Sequence, residues 1–244
     1  MRPVTAAAAI GTLEQALAHA SRLLAREPGL AETQAEEILK VVPGHPPTLQ
    51  LLAAARAAQG KLEGALEVLE PLATSQPQWA AAQFELGLAL TQVGRKDEAI
   101  AALRRTVALQ PDLPQAWRIL ADHLLDAGDT DAAAEAYLGH VRHAATDPRL
   151  MAAGAALTDN RIPEAEGLLR QHLREAPTDV VAIRMFAELA ARVGRPDEAR
   201  LLLERCLELA PGFHAARQNY ALLLHRSNLP EQALAELELL LAAE

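Results

Sequence analysis

The sequence carries little aromatic surface and almost no sulfur. Phe, Trp and Tyr together supply 3% of its 244 residues. Sheet cores draw on aromatic and β-branched side chains, so their scarcity turns the reading towards helices built from alanine and leucine. Cys206 is the one cysteine, which excludes an intramolecular disulfide and a cysteine-built metal site. Basic residues are also short, 23 Lys and Arg against 32 acids for a formal net charge of −9. Displacing counterions from phosphate needs the opposite balance, so nucleic acid is not an expected partner. No apolar run approaches the roughly 20 residues that span a bilayer, and the alanine-rich stretch ending at Ile10 is too weak for a secretory leader. The expectation is a cytoplasmic chain with no membrane partner. Charged residues at 23% lie in the usual range for folded domains, which argues against disorder.

What the sequence has instead is a repeat. Gly60, Gly94, Gly128, Asn160, Gly194 and Asn228 follow one another at intervals of 34, 34, 32, 34 and 34. An alanine five residues later keeps the same spacing: Ala65, Ala99, Ala133, Ala165, Ala199 and Ala233. So does a large residue, in Leu69, Leu103, Tyr137, Leu169, Leu203 and Leu237. Upstream of each turn, Leu52, Leu86, Leu120, Ala152, Phe186 and Tyr220 each precede a small residue, Ala53, Gly87, Ala121, Ala153, Ala187 and Ala221. Prolines close the units at Pro43, Pro77, Pro111, Pro177 and Pro211. The spacing predicts two helices per unit, with apolar positions on one stripe of each. Glycine or asparagine tolerates the left-handed conformation that ends the first helix. The small residues let the two helices approach, and the proline stops the second. One helix pair cannot bury its own stripe, so neighbouring pairs are expected to stack.

These residues resemble the tetratricopeptide repeat (TPR), with its pattern W-x2-L-G-x2-Y, A-x3-F and P. The matches are Trp117 with Leu120 and Ala121, Ala133 with Tyr137, and Leu86-Gly87 with Ala99, Leu103 and Pro111. The resemblance implies an all-α solenoid, a right-handed superhelix of antiparallel helix pairs. Six full repeats are expected at 46–79, 80–113, 114–145, 146–179, 180–213 and 214–244, after a degenerate unit at 1–45, in a single domain covering 1–244. In that first unit Leu13, Leu17, Ala20 and Leu24 form a stripe, Pro28-Gly29 makes the turn, and Ala31, Ala35 and Ile38 line the second helix. The two-residue deletion between Tyr137 and Ala152 is expected to shorten a second helix or the turn after it and to change the local pitch. Pro71 falls inside a second helix, where it removes one backbone bond and is expected to kink it. The last helix ends in Leu237, Leu239, Leu240 and Leu241 with nothing after it, and the next closing proline would fall one residue past Glu244. A fragment cut at a repeat boundary is the expectation, with self-association through the uncapped helix as a further possibility.

A finer resemblance is to the N-terminal repeats of bacterial TPR-containing sulfotransferases. It rests on the segments Glu37 to Pro47, Asp159 to Glu166 and Leu203 to Phe213. That family couples its repeats to a domain that uses 3′-phosphoadenylyl sulfate. The phosphate loop such a domain needs, of the R-S-G-T kind, is not in this chain, where the only Gly-Thr is Gly11-Thr12. The chain is thus expected to be no enzyme and to hold no cofactor, with any catalysis lying beyond residue 244. The alternative is a stand-alone scaffold or assembly factor without an enzymatic parent.

The resemblance also implies a concave groove lined by the first helix of each pair, holding a protein or peptide segment. Carried over by phase, its residues are Phe84, Leu88 and Gln92; Arg118, Asp122 and Asp126; Leu150, Met151 and Leu157; Arg184, Glu188 and Arg192; and Gln218, Asn219, His225 and Arg226. Arg118 with Asp122, and Arg184 with Glu188, stand four apart and can also be read as surface ion pairs. His140 and His143 share a helix face, but no third ligand stands at matching spacing. Cys206, between Leu203 and Leu207, reads as an inert core thiol. Glu63, Glu67, Asp97, Glu98, Asp131, Glu135, Asp197 and Glu198 read as a solvated outer face.

Overall fold

A computed structural model of the chain describes residues 6–144 and 147–242. Among these residues it contains fourteen helices and no strand. In order they are α1 Ala6–Leu24, α2 Pro28–Val41, α3 Pro46–Ala58, α4 Leu62–Ser75, α5 Ala80–Val93, α6 Lys96–Leu109, α7 Pro114–Asp126, α8 Thr130–His143, α9 Pro148–Thr158, α10 Ile162–Glu175, α11 Val180–Arg192, α12 Pro196–Leu209, α13 His214–Arg226 and α14 Pro230–Leu241. Each odd-numbered helix packs on the even-numbered one after it. The chain divides into two compact units, Met1–Gln110 with α1 to α6 and Pro111–Glu244 with α7 to α14.

The six turn residues of the repeat all take positive φ, from 58° at Asn160 to 82° at Gly128. A left-handed residue ends the first helix and lets the next N–H groups bond back to it. At Gly94 the bond runs from Arg95 N to Leu90 O, 3.0 Å, and at Asn160 from Arg161 N to Ala156 O, 2.8 Å. The prolines Pro43, Pro77, Pro111, Pro177 and Pro211 all lie in the turns between hairpins. The small residues after the upstream series are all buried. At Gly87 a Cβ would meet Leu103 at 3.0 Å, and at Gly139 the Trp117 ring at 2.5 Å. In the first unit the core gathers Ala53, Leu66, Leu69, Leu90 and Ala99 around the α3–α6 hairpins. In the second it gathers Leu150, Leu157, Leu169, Phe186 and Leu189 around α9 to α11.

Three expectations about local structure are answered here. Pro28 and Gly29 are not the turn of the first hairpin. Pro28 is the first residue of α2, a position where its missing N–H costs nothing, and the turn lies at Ala25 and Arg26. The two-residue deletion shortens neither a second helix nor the turn after it. It falls inside the first helix of its pair, so that α9 has 11 residues where α7 and α11 have 13. Pro71 does lie inside α4, which continues to Ser75.

A clamp recurs on the outer surface that the repeat pattern did not announce. Arg95 pairs with Glu98 at 2.6 Å and reaches back to Glu70 on α4 at 2.7 Å. Arg195 does the same with Glu198 at 2.9 Å and Glu166 on α10 at 2.8 Å. Each arginine stands just after a left-handed turn residue and ties two successive second helices. Both are partly solvated, so each clamp fixes orientation more than it adds stability.

Candidate functional site

In the second unit a cleft of about 720 Å³ opens between α11 and α13. Its floor is apolar, formed by Ala187, Ala191, Leu203, Leu222 and Leu223, and its rim carries Glu188, Arg192, Asp197, Asn219 and Arg226. On α11 the residues Ile183, Phe186 and Ala190 are buried, while Ala187, Glu188, Ala191 and Arg192 share the stripe that lines the cleft. Leu222 is 48% exposed there, an apolar side chain at the mouth of a hollow. Arg192 is held in place by a bond from Nη1 to the Leu157 carbonyl at 2.8 Å and by pairing with Glu188. Among the described residues no side-chain hydrogen bond or ion pair involves Arg226, which is exposed.

Four of the expected groove residues, Glu188, Arg192, Asn219 and Arg226, therefore meet around one cleft. Gln218 and His225 do not join them. They line a separate hollow between α13 and α14 with Ala221, Leu234 and Leu237, because they project from the other side of α13. Arg184 is engaged elsewhere, 3.5 Å from Glu188 and with its guanidinium 6.0 Å from the Phe213 ring. Leu150 and Leu157 are corrected outright: each is 4% exposed and belongs to the core around Leu169 and Phe186. Met151 between them is 59% exposed. Arg118 pairs with Asp122 at 3.0 Å, as an i,i+4 pair. Asp122 also accepts from Tyr137 Oη at 2.7 Å and from Thr178 Oγ1 at 2.5 Å. Asp126 is exposed on the last turn of α7. Phe84, Leu88 and Gln92 lie on α5 in the first unit, the first two half-buried and Gln92 exposed. Leu222 was missed, although it stands 34 residues after Glu188 and so occupies the same repeat position.

The second unit also buries a polar cluster. Asp179 caps α11, its Oδ1 accepting from the amides of Val181 at 3.1 Å and Ala182 at 3.0 Å. The same Oδ1 lies 3.0 Å from His140 Nε2, and Oδ2 lies 2.8 Å from His172 Nε2. Burial by itself would push this carboxyl up, but the bonds from His140 and then His172 outweigh it and hold the group well below the usual carboxylate range. His140 Nδ1 faces the Pro114 carbonyl at 3.0 Å, so both nitrogens of that ring are engaged. Among the described residues no group of three or more side chains is placed to hold a metal. Cys206 occupies the equivalent position on α12, with Sγ donating to the Val180 carbonyl at 3.3 Å. Burial pushes its thiol up to about 12, which leaves it a neutral core group. The acids expected on the outer face, from Glu63 to Asp197, are exposed, with Glu198 intermediate, but Asp197 also lines the α11–α13 cleft.

Among the described residues no helix is long and apolar enough to cross a membrane. No curated protein sequence matches the chain. Among solved structures it resembles pilF of Pseudomonas aeruginosa, with TM-score 0.54 and 17% identity over 86% of this chain and 96% of that one. A thermophilic TPR protein of Thermus thermophilus gives 0.50 and 20% over 87% and 98%. A tetratricopeptide repeat protein of Parabacteroides merdae gives 0.50 and 14% over 96% and 93%. At these identities the likeness concerns the fold. Models of the tetratricopeptide repeat match residues 51–114, 92–148 and 180–223. Those segments take up more than half of the sequence and carry four of the six turn residues, five of the six small residues and three of the five closing prolines, so the chain belongs to the tetratricopeptide-repeat family.

Proposed function

We propose that the chain is a protein-interaction module whose α11–α13 cleft takes a short acidic segment bearing a leucine-sized apolar side chain. The observation that supports this is the cleft itself, with an apolar floor, a half-exposed Leu222 and, beside the acids Glu188 and Asp197, the guanidinium groups of Arg192, paired with Glu188, and of Arg226, whose charge is left for a ligand. An apolar side chain of the segment would cover Leu222, and its carboxylates would meet the arginines as charge-assisted bonds. Stacked helix pairs commonly offer such surfaces to extended or helical segments. A phage library of random dodecapeptides panned on the chain should enrich acidic, leucine-containing sequences. Arg226→Glu with Leu222→Glu should then weaken the selected peptides at least tenfold at unchanged helicity. Peptides without that bias, or unchanged affinity in the double variant, would place the binding surface elsewhere. Arg226 and Leu222 are the residues of choice because Arg192 also holds a backbone carbonyl of α9.

The finer reading, recruitment for a sulfotransferase, is supported by the segments Glu37 to Pro47, Asp159 to Glu166 and Leu203 to Phe213 alone. Sequencing the gene past codon 244 tests it: an R-S-G-T phosphate loop would support the sulfotransferase, and its absence a scaffold.

A further inference from the structure

The cluster of His140, Asp179 and His172 joins four elements, the first turn of α7 through the Pro114 carbonyl, α8, α10 and the cap of α11. Counting hydrogens at its atoms fixes its charge. Both His140 nitrogens face acceptors, the Pro114 carbonyl and the Asp179 carboxylate. Each must carry a hydrogen for both contacts to attract, which makes the ring an imidazolium. Asp179 accepts two backbone N–H groups at Oδ1, which favours its ionised form. His172 donates through Nε2 to Oδ2, while its Nδ1 is buried and has no partner among the described residues. It is therefore the neutral ring. The cluster thus holds one positive and one negative charge, with a third site still open to a proton.

We propose that this cluster is a proton-operated joint, in which a second proton, taken up at His172 Nδ1, loosens the α10–α11 junction and with it the polar face of α7. That proton would bring a second positive charge into a site where His172 is 8% exposed and Asp179 1% exposed, with a single carboxylate to balance both rings. The surrounding charges do not relieve it. Arg118 on α7 is paired with Asp122, and Arg149 on α9 with Glu175 on α10 at 2.5 Å. Asp147 is spent on the Arg149 amide at 2.8 Å, and Asp112 is exposed to solvent screening. Arg184 on α11 adds positive charge, and Cys206 on α12 is a neutral thiol. The junction also reaches the surface. Thr178, next to Asp179, donates to Asp122, which holds Arg118. Releasing the loop would free that carboxylate from one partner and change the charged face that α7 presents.

The test is hydrogen exchange at pH 8.0 and 5.0, corrected for intrinsic rates. Protection of the Val181 and Ala182 amides should fall at least tenfold at the lower pH, while α5 changes little. His172→Gln can still donate to Asp179 but cannot take the proton, and should keep its protection at both values. Equal protection of the wild type at both pH values would overturn the proposal, as would the same loss in His172→Gln. If that variant does not fold, ring nitrogen-15 shifts of the wild-type protein at pH 8.0 decide. Two protonated nitrogens at His140 and one at His172 support the joint, and any other pattern refutes it.

Discussion

Asp179 is an ionised side chain almost out of contact with water, and four donors hold it there: two imidazoles and two backbone amides. Removing a buried partner costs more than the pair contributes, because the opposite charge stays behind unpaired. Asp179→Ala should therefore lose about 3–5 kcal/mol in urea unfolding. A loss under about 1 kcal/mol would mean that water reaches His140 in solution. The pH dependence has a definite sign. The folded carboxyl lies below its ordinary value of about 3.9, so the ionised form stabilises the fold above that pH, and the contribution drains away as acid protonates it. Between pH 4 and pH 2 the wild type should lose more stability than Asp179→Ala, as followed by circular dichroism. Half of this cluster was legible beforehand. Thr106, His140, His172 and Cys206 share one repeat position at intervals of 34, 32 and 34, and all four are buried. Nothing in the spacing marks Asp179, because it sits in a connecting turn where the repeat has no fixed residue type. Weighing His140 only against His143 on its own helix missed it, since the partner ring, His172, is one whole repeat away.

At the scale of helices, the legible features were those with a local cause. Gly94 and Asn160 announced the left-handed turn because few residue types adopt it, and both have positive φ. The shortened α9 was misplaced because counting from one turn to the next cannot say on which side of a helix start the residues were lost. Two groove assignments on that helix, Leu150 and Leu157, fell on core positions. Pro71 is the element whose cost can be measured most directly. It removes the bond its N–H would give to the Glu67 carbonyl, in the interior of a 14-residue helix, and its ring is exposed. Pro71→Ala restores the donor and gives up no core contact. It should raise the stability of the first unit by about 1–3 kcal/mol, after the greater freedom of the unfolded alanine chain is allowed for. No gain in the urea midpoint would mean that α4 already satisfies that carbonyl another way, with water as the candidate.

At the largest scale, stability within each unit comes from one helix pair covering the stripe of the pair before it. The third repeat series makes this visible: Leu69, Leu103, Tyr137, Leu169 and Leu203 are all buried, whereas Leu237 is 44% exposed. The side chains at 169, 203 and 237 are chemically identical and differ only in what lies over them. Leu169 is closed in by Met185, Phe186 and Leu189 from α11, while Leu237 borders the open hollow on α13 and α14. The same substitution should therefore have unequal effects. Leu169→Ala should cost about 2–5 kcal/mol, the transfer of a buried leucine plus the cavity it leaves. Leu237→Ala should cost about 1 kcal/mol or less, because much of its surface is already in water and no closed cavity forms. Urea titrations of both variants at two protein concentrations separate the possibilities. A large loss at Leu237 that grows with concentration would show a second copy of the chain lying over α14, since anything bound to the folded form alone adds stability by mass action. A small loss at both concentrations would show that the face is open to solvent, available to whichever helix fits its leucines.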